Sequence, residues 1–268
     1  MSRLKENGFE YYTLDELKEK TYYKQDLEAL TSVFDGLPQD EYAPHLNRYR
    51  RYARAVIMPG SHRVEWLPKT VINDKAYYEY FQGSFNPEYT DEYRRFPALP
   101  EEMMHNQLLE DIIRFDFQQT FWMKEDALMP VHAGIHFVKL CVHDDGEVAV
   151  SSPNNLHQDG EPFTFAHLIR RHNVKGAMNA ISVPDHRGRM PVDLHPDELT
   201  ASFYLENPLE SYGVYDPLVT HYVGTVEKGG KNGPGERSAI LIDFQPTVVS
   251  DSEKTSSMKG LTDQMIFV

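Results

Sequence analysis

Beyond Pro130 the chain breaks into short runs of β-branched and aromatic residues, and this punctuation limits its fold more than any other feature. Strand-like segments are predicted at 133–142, 147–151, 162–168, 177–183, 202–204, 211–214, 220–226 and 238–244. Asp144-Asp145-Gly146 reads as a hairpin turn, and Asn207-Pro208 and the glycine-rich 229–235 are further breaks. The first 130 residues read as helical and irregular. Thr13 looks like an N-cap to an amphipathic stretch ending near Phe34, and Pro100 opens a second helix whose buried face runs Leu108, Leu109, Ile112, Ile113, Phe117. One basic strand, 48–58, lies between them. Helices first and many short strands afterwards predict an α+β fold: a double-stranded β-helix, or jelly roll, with N-terminal helices packed on one sheet.

At 268 residues the chain is expected to be a single domain, with a helical and irregular part over 1–130, a jelly-roll core over 131–249 and a tail over 250–268. The tail is polar, but its last four residues, Met265-Ile266-Phe267-Val268, are apolar enough to dock. The single cysteine, Cys141, excludes an internal disulfide and a cysteine-only zinc site and reads as a buried filler. No apolar run is long enough to span a membrane, and the N-terminus lacks the apolar region of a secretory signal, so a cytoplasmic location is expected. A formal charge of −14 argues against binding a phosphate backbone, so the expected partner is a small molecule rather than nucleic acid or membrane. Oligomeric state is not legible.

The chemistry concentrates at Ser151-Ser152-Pro153-Asn154-Asn155-Leu156-His157-Gln158-Asp159-Gly160-Glu161-Pro162. On an extended backbone residues i and i+2 point the same way, so His157 and Asp159 can converge on one metal. A chance pairing of a loop histidine with a loop aspartate explains the pattern about equally well. His221, in the β-branched run 217–224, would complete a two-histidine, one-carboxylate set with open positions for co-substrate and oxygen, although a strand histidine serves as readily as core filler. Arg237 opens an apolar strand, where an unpaired guanidinium is costly. It needs a carboxylate: a bound organic acid, or its neighbours Glu236 or Asp243.

With these residues in view, the frame Ser151-Ser152-Pro153…His157-x-Asp159-x-Glu161-Pro162…Phe165-x-His167-Leu168 resembles the iron motif of the 2-oxoglutarate/Fe(II)-dependent dioxygenases, in the branch that contains bacterial L-isoleucine 4-hydroxylase and related free-amino-acid hydroxylases. Asp111-Ile112-Ile113-Arg114-Phe115-Asp116, Asn207-Pro208-Leu209-Glu210 before His221, and Arg237 before its strand match the branch in the same order. The resemblance implies Fe(II) bound by His157, Asp159 and His221, 2-oxoglutarate held by Arg237, and O2 as the oxidant. It implies hydroxylation of an unactivated C–H bond of a free L-amino acid, with 2-oxoglutarate converted to succinate and carbon dioxide. Asp159 stands where related halogenases carry a small residue, which favours oxygen over chloride. Two departures stand out: Gly176-Ala177 where relatives carry Gly-Gly, and a long interval between His221 and Arg237, read as an extended hairpin at 229–235.

Candidate substrate residues are Arg94 and Arg95, in an aromatic segment (77–96) read as a lid, and His136. His136 and Lys139 sit three apart on one strand and so face opposite ways. Arg114 is expected to pair with Asp111 or Asp116, His167 to be a core histidine, and Tyr212 and Tyr215 to pack. The alternatives are another metal-dependent cupin-type enzyme, such as a zinc or manganese isomerase, or a non-catalytic jelly-roll binding module.

Overall fold

A computed structural model of the chain describes residues 3–17, 23–81, 93–247 and 266–267. Its organising element is a seven-stranded antiparallel sheet in the order Phe9–Tyr12, Ser211–Tyr215, Phe163–His172, Gly235–Pro246, Val131–Val142, Arg48–Ile57, Val64–Trp66. The central strands are buried on both faces, which is why they read as near-continuous apolar runs. One face, carrying Ile135, Phe137, Ile240, Ile242 and Phe244, packs on Leu108, Leu109, Ile112, Ile113 and Phe117 of the helix Gln107–Gln119 and on Leu30 and Phe34 of the helix Tyr23–Asp35. The other face presents Arg50, Tyr52, His136, Leu241 and Asp243, placed in matching rows by the strand register.

Two three-stranded sheets cover that second face. One is ordered Leu199–Phe203, Asn179–Ser182, Thr220–Val223, the other Val174–Gly176, Val226–Lys228, Val148–Ala149. Ile181 joins Ala166, Leu168, Tyr212 and Val214 in a buried cluster between the sheets, and Ala149 and Val226 close on Leu140 and Val142. This is the expected double-stranded β-helix with helices on one sheet. The predicted second helix begins later than Pro100, because Asn106 caps it by accepting from the Leu109 N–H at 2.9 Å.

Several expectations need correction. The first 130 residues hold more strand than expected: beside the expected basic strand, Arg48–Ile57, the segments Phe9–Tyr12 and Val64–Trp66 also join the main sheet. A four-residue strand is too short for its period to show in sequence. Thr13 opens a 3-10 turn, Leu14–Leu17, in which its N–H donates to Glu16 at 2.6 Å, and the helix proper begins at Tyr23. Asp144-Asp145-Gly146 does not join a paired hairpin, since Val148–Ala149 pairs with 226–227. The glycine-rich 229–234 is no extended hairpin. It wraps Asn173, whose side-chain amide donates to the Lys231 and Gly233 carbonyls and whose Oδ1 accepts from the Lys231 N–H. Arg114 pairs with Glu110 one turn away, at 2.5 Å, rather than with Asp111 or Asp116.

Other expectations hold. Ile266–Phe267 docks as a short strand on Phe121–Trp122, and Cys141 is buried. Among the described residues no helix is long and apolar enough to cross a membrane. Residues 82–92 of the expected lid, and 248–265 of the tail, lie outside the described residues. At Gly176 (φ 73°) an added Cβ would sit 2.1 Å from the Thr225 carbonyl oxygen, so glycine is required, whereas at Ala177 (φ 58°) the left-handed region is adopted by an alanine.

His167 is fully enclosed and shares its Nε2 proton with Asp116 at 2.9 Å, pinning the helix Gln107–Gln119 to the main sheet. Replacing His167 with Ala leaves that carboxylate buried and unpaired, so urea denaturation is expected to show a loss of about 3 kcal/mol or more; a stability equal to wild type would show that the pair contributes nothing.

Candidate active site

His157 and His221 face each other across an isolated antiparallel bridge, each N–H donating to the other's carbonyl at 3.0 and 2.9 Å. Directly opposed residues put their side chains on the same face, and the two imidazole centroids are 4.3 Å apart. Asp159, two residues on, brings its carboxylate to both: Oδ2 lies 3.2 Å from His221 Nε2 and Oδ1 3.7 Å from His157 Nε2. The three candidate donor atoms lie within 4.8 Å of one another, the one such cluster found among the described residues. Donors that bind a metal ion at about 2.0–2.2 Å are spaced in this way.

Backbone and carboxylate contacts orient the trio. The Nδ1–H of His157 donates to the Asn155 carbonyl at 2.7 Å, which leaves Nε2 as the lone-pair nitrogen facing Asp159. Asp216 grips the intervening turn: its carboxylate accepts from the N–H groups of Asp159 and Gly160 at 3.0 and 2.9 Å, and its carbonyl accepts from the Gln158 amide at 2.5 Å. Burial raises the Asp159 carboxyl, but the two imidazoles outweigh it and hold the group well below the usual carboxylate range. Burial and then His221 push His157 down to about 4, keeping it neutral, as a ligand must be. His221 is opposed by burial yet raised by Asp159.

Arg237 lies 5% exposed on the face of the main sheet that points between the sheets. It pairs with neither candidate neighbour, because Glu236 binds Arg170 and Ser238 while Asp243 binds His136. Its Nε and Nη2 are buried with no hydrogen-bond partner among the described residues, and burial lowers its pKa to about 10. An unpartnered buried guanidinium, on the strand face whose Leu241 and Asp243 line the cavity at Asp159, suits an organic acid.

A cavity opens at Asp159, walled by Arg50, Tyr80, Arg94, His136, Leu241 and Asp243 among others. Arg94 is buried there, with its guanidinium 5.0 Å from the Tyr80 ring. Arg95 does not line the cavity: as the next residue of the strand Arg94–Pro97 it turns outward to Glu79 at 3.1 Å. His136 lines the cavity, and Lys139 faces away and donates to the Phe34 carbonyl at 2.7 Å. Yet His136 has no nitrogen to offer a substrate. Its Nδ1 accepts from Arg50 Nη2, its Nε2–H donates to Asp243 at 3.0 Å, and burial lowers its pKa to about 4. It is a link between two wall residues rather than a ligand to substrate.

Sequence reasoning missed Asp216, Arg50, Tyr80, Glu161 and Asp243. Asp243 carried a signal, since it lies six residues from Arg237 on one strand and therefore on the same face. The others depend on strand pairing that sequence does not encode locally.

Known proteins resemble this chain in sequence and in fold. The 3(1)-hydroxy-L-isoleucine 4-dioxygenase of Pantoea ananatis (strain AJ13355) is 29% identical over 243 residues, 88% of this chain and 86% of that protein. The L-isoleucine-4-hydroxylase of Bacillus thuringiensis is 28% identical over 148 residues, 54% of this chain and 56% of that protein. The crystal structure of IDO from Bacillus thuringiensis shares the fold with a TM-score of 0.71 at 21% identity, covering 92% of this chain and 97% of that chain. The family model described as 2OG-Fe dioxygenase matches residues 31–243, and the chain therefore belongs to the 2OG-Fe dioxygenase family, enzymes that use Fe(II), 2-oxoglutarate and O2.

Proposed function

We propose that this dioxygenase hydroxylates an unactivated C–H bond of a free L-amino acid at an Fe(II) held by His157, Asp159 and His221. The observation that carries the reading is the buried His-Asp-His trio together with an unpartnered Arg237 on the strand face whose Leu241 and Asp243 line the cavity at Asp159. The relatives named for isoleucine derivatives support an amino-acid substrate. Family membership disfavours an isomerase of the cupin type and a non-catalytic binding module. Bound at the trio, iron with 2-oxoglutarate would supply the oxidation, consuming O2 and releasing succinate and carbon dioxide.

The chain's own residues set the geometry. Arg237 would pair with the far carboxylate of 2-oxoglutarate through its Nε and Nη2. The hydrogen bond from His157 to Asn155 fixes which ring nitrogen faces the metal. Asp216 holds the turn so that the Asp159 carboxylate stays between the two imidazoles. Arg94, on the cavity wall, would meet the substrate carboxylate. Asp159 would supply a carboxylate ligand to the metal where a halogenase has a small residue, so oxygen insertion is the expected outcome.

Succinate release screened across the proteinogenic L-amino acids, followed by mass spectrometry for one added oxygen, tests the reading, and absence of both with every amino acid would refute it. His157→Ala and Asp159→Ala are each expected to abolish turnover while the melting temperature shows a folded protein. Arg237→Gln is expected to raise the KM for 2-oxoglutarate roughly 10- to 100-fold, the loss of one charged hydrogen-bond partner. Asp216→Ala, which touches no donor atom of the trio, is expected to weaken Fe(II) affinity by about 10- to 100-fold, measured by metal titration.

A further inference from the structure

One part of the cavity wall is acidic, and half of its oxygens lack a partner. Glu161 and Asp243 are 3% and 4% exposed and both line the cavity that opens at Asp159. Each has one carboxylate oxygen anchored by a protein donor: the Tyr80 hydroxyl donates to Glu161 Oε1 at 3.0 Å, and the His136 Nε2–H donates to Asp243 Oδ2 at 3.0 Å. The second oxygen of each, Glu161 Oε2 and Asp243 Oδ1, is buried and meets no donor among the described residues. The nearby arginines of the strand Arg48–Ile57 do not fill the gap. Arg48 binds Asp40 at 2.9 Å, and Arg50 turns to Asp40 and to His136 Nδ1. The backbone, moreover, makes room for the second carboxylate: an added Cβ at Gly134 would lie 2.3 Å from Asp243 Oδ2 and 2.7 Å from Oδ1.

Two buried carboxylate oxygens without a donor, on side chains that line one cavity, call for a cationic guest rich in N–H groups. 2-Oxoglutarate brings only negative charge, and the trio is the residue set suited to the metal. A primary ammonium has three N–H donors and can serve both oxygens at once. We infer that Glu161 and Asp243 together receive the α-ammonium group of the substrate, in the cavity whose wall also carries Arg94; the inference rests on the amino-acid reading above. The assignment makes this chain selective for an unblocked amine. An N-acylated amino acid or the acyl end of a peptide lacks the charge, and a 2-hydroxy acid lacks both the charge and two of the three donors. His136 and Tyr80 are positioning residues here, each fixing one carboxylate through its other oxygen.

The test uses the protein with Fe(II) and 2-oxoglutarate and the amino acid that gives most succinate. If no amino acid releases succinate, the amino-acid reading itself falls. If one does, its N-acetyl derivative and the 2-hydroxy acid of the same carbon skeleton are compared with it on the wild-type protein, by succinate release and by anaerobic calorimetric binding. Both analogues are expected to bind roughly 10- to 100-fold more weakly, the loss that follows from removing one side of a buried charged hydrogen bond. Glu161→Gln and Asp243→Asn are expected to weaken amino-acid binding by a similar factor while 2-oxoglutarate binding stays at the wild-type level. Equal binding of either analogue would overturn the inference, as would folded variants that bind the amino acid as tightly as wild type. If a variant does not fold, the analogue comparison on the wild-type protein decides.

Discussion

The site depends on two backbone hydrogen bonds. His157 and His221 are far apart in sequence, His157 outside any named strand and His221 on the strand Thr220–Val223, yet each accepts and donates to the other across one bridge. A single antiparallel pair of this kind sets the spacing and facing of two side chains at once. Asp159 then needs only the i+2 parity of an extended segment to join them. Asp216 secures that segment from the side by accepting its N–H groups. The donor set is thus held by main-chain geometry rather than by packing of the ligands themselves, which leaves the imidazoles and carboxylate exposed to one another.

The same principle, burial of charge only where it is paired, orders the cavity. The main sheet sends apolar residues to the helices and charged ones to the space between the sheets. Within that space Asp40 neutralises Arg48 and Arg50, Arg50 donates to His136, and His136 donates to Asp243. Tyr52 stacks on the His136 ring at 4.2 Å and keeps it in the row. Removing charges from water is expensive unless each finds a partner, so the atoms that end without one inform about ligands. Among them are the Arg237 guanidinium, suited to an acid, and the free oxygens of Glu161 and Asp243, suited to a base. Opposite signs in separate places let the two small molecules of the reaction sort themselves by charge.

The jelly roll was legible because its strands carry their own signals, period-2 alternation and turn residues, and each signal is local. The trio was legible as a candidate for the same reason: His157 and Asp159 are neighbours, and His221 is a histidine in a late strand. What sequence misread were partners. Arg114 chose Glu110, Val148–Ala149 paired with 226–227 rather than folding back, and the glycine-rich stretch wrapped Asn173. Arg94 and Arg95 read as equals, although strand alternation buries one and exposes the other. His136 read as a substrate ligand because its occupants, Arg50 and Asp243, lie 86 and 107 positions away.

The sequence by itself determined the succession of short strands, the helix faces, the convergence of His157 with Asp159 and the need of Arg237 for a carboxylate. Each follows from residues within a few positions of one another, where covalent geometry fixes which side chains share a face. Only the tertiary structure decided that His221 stands beside His157, that the Arg237 Nε and Nη2 find no partner among the described residues, and that Glu161 and Asp243, each with one oxygen unpartnered, line the same cavity. Those outcomes depend on which distant strands pair and in what register, and a shift of one residue in that register would send every one of these side chains to the opposite face of its sheet.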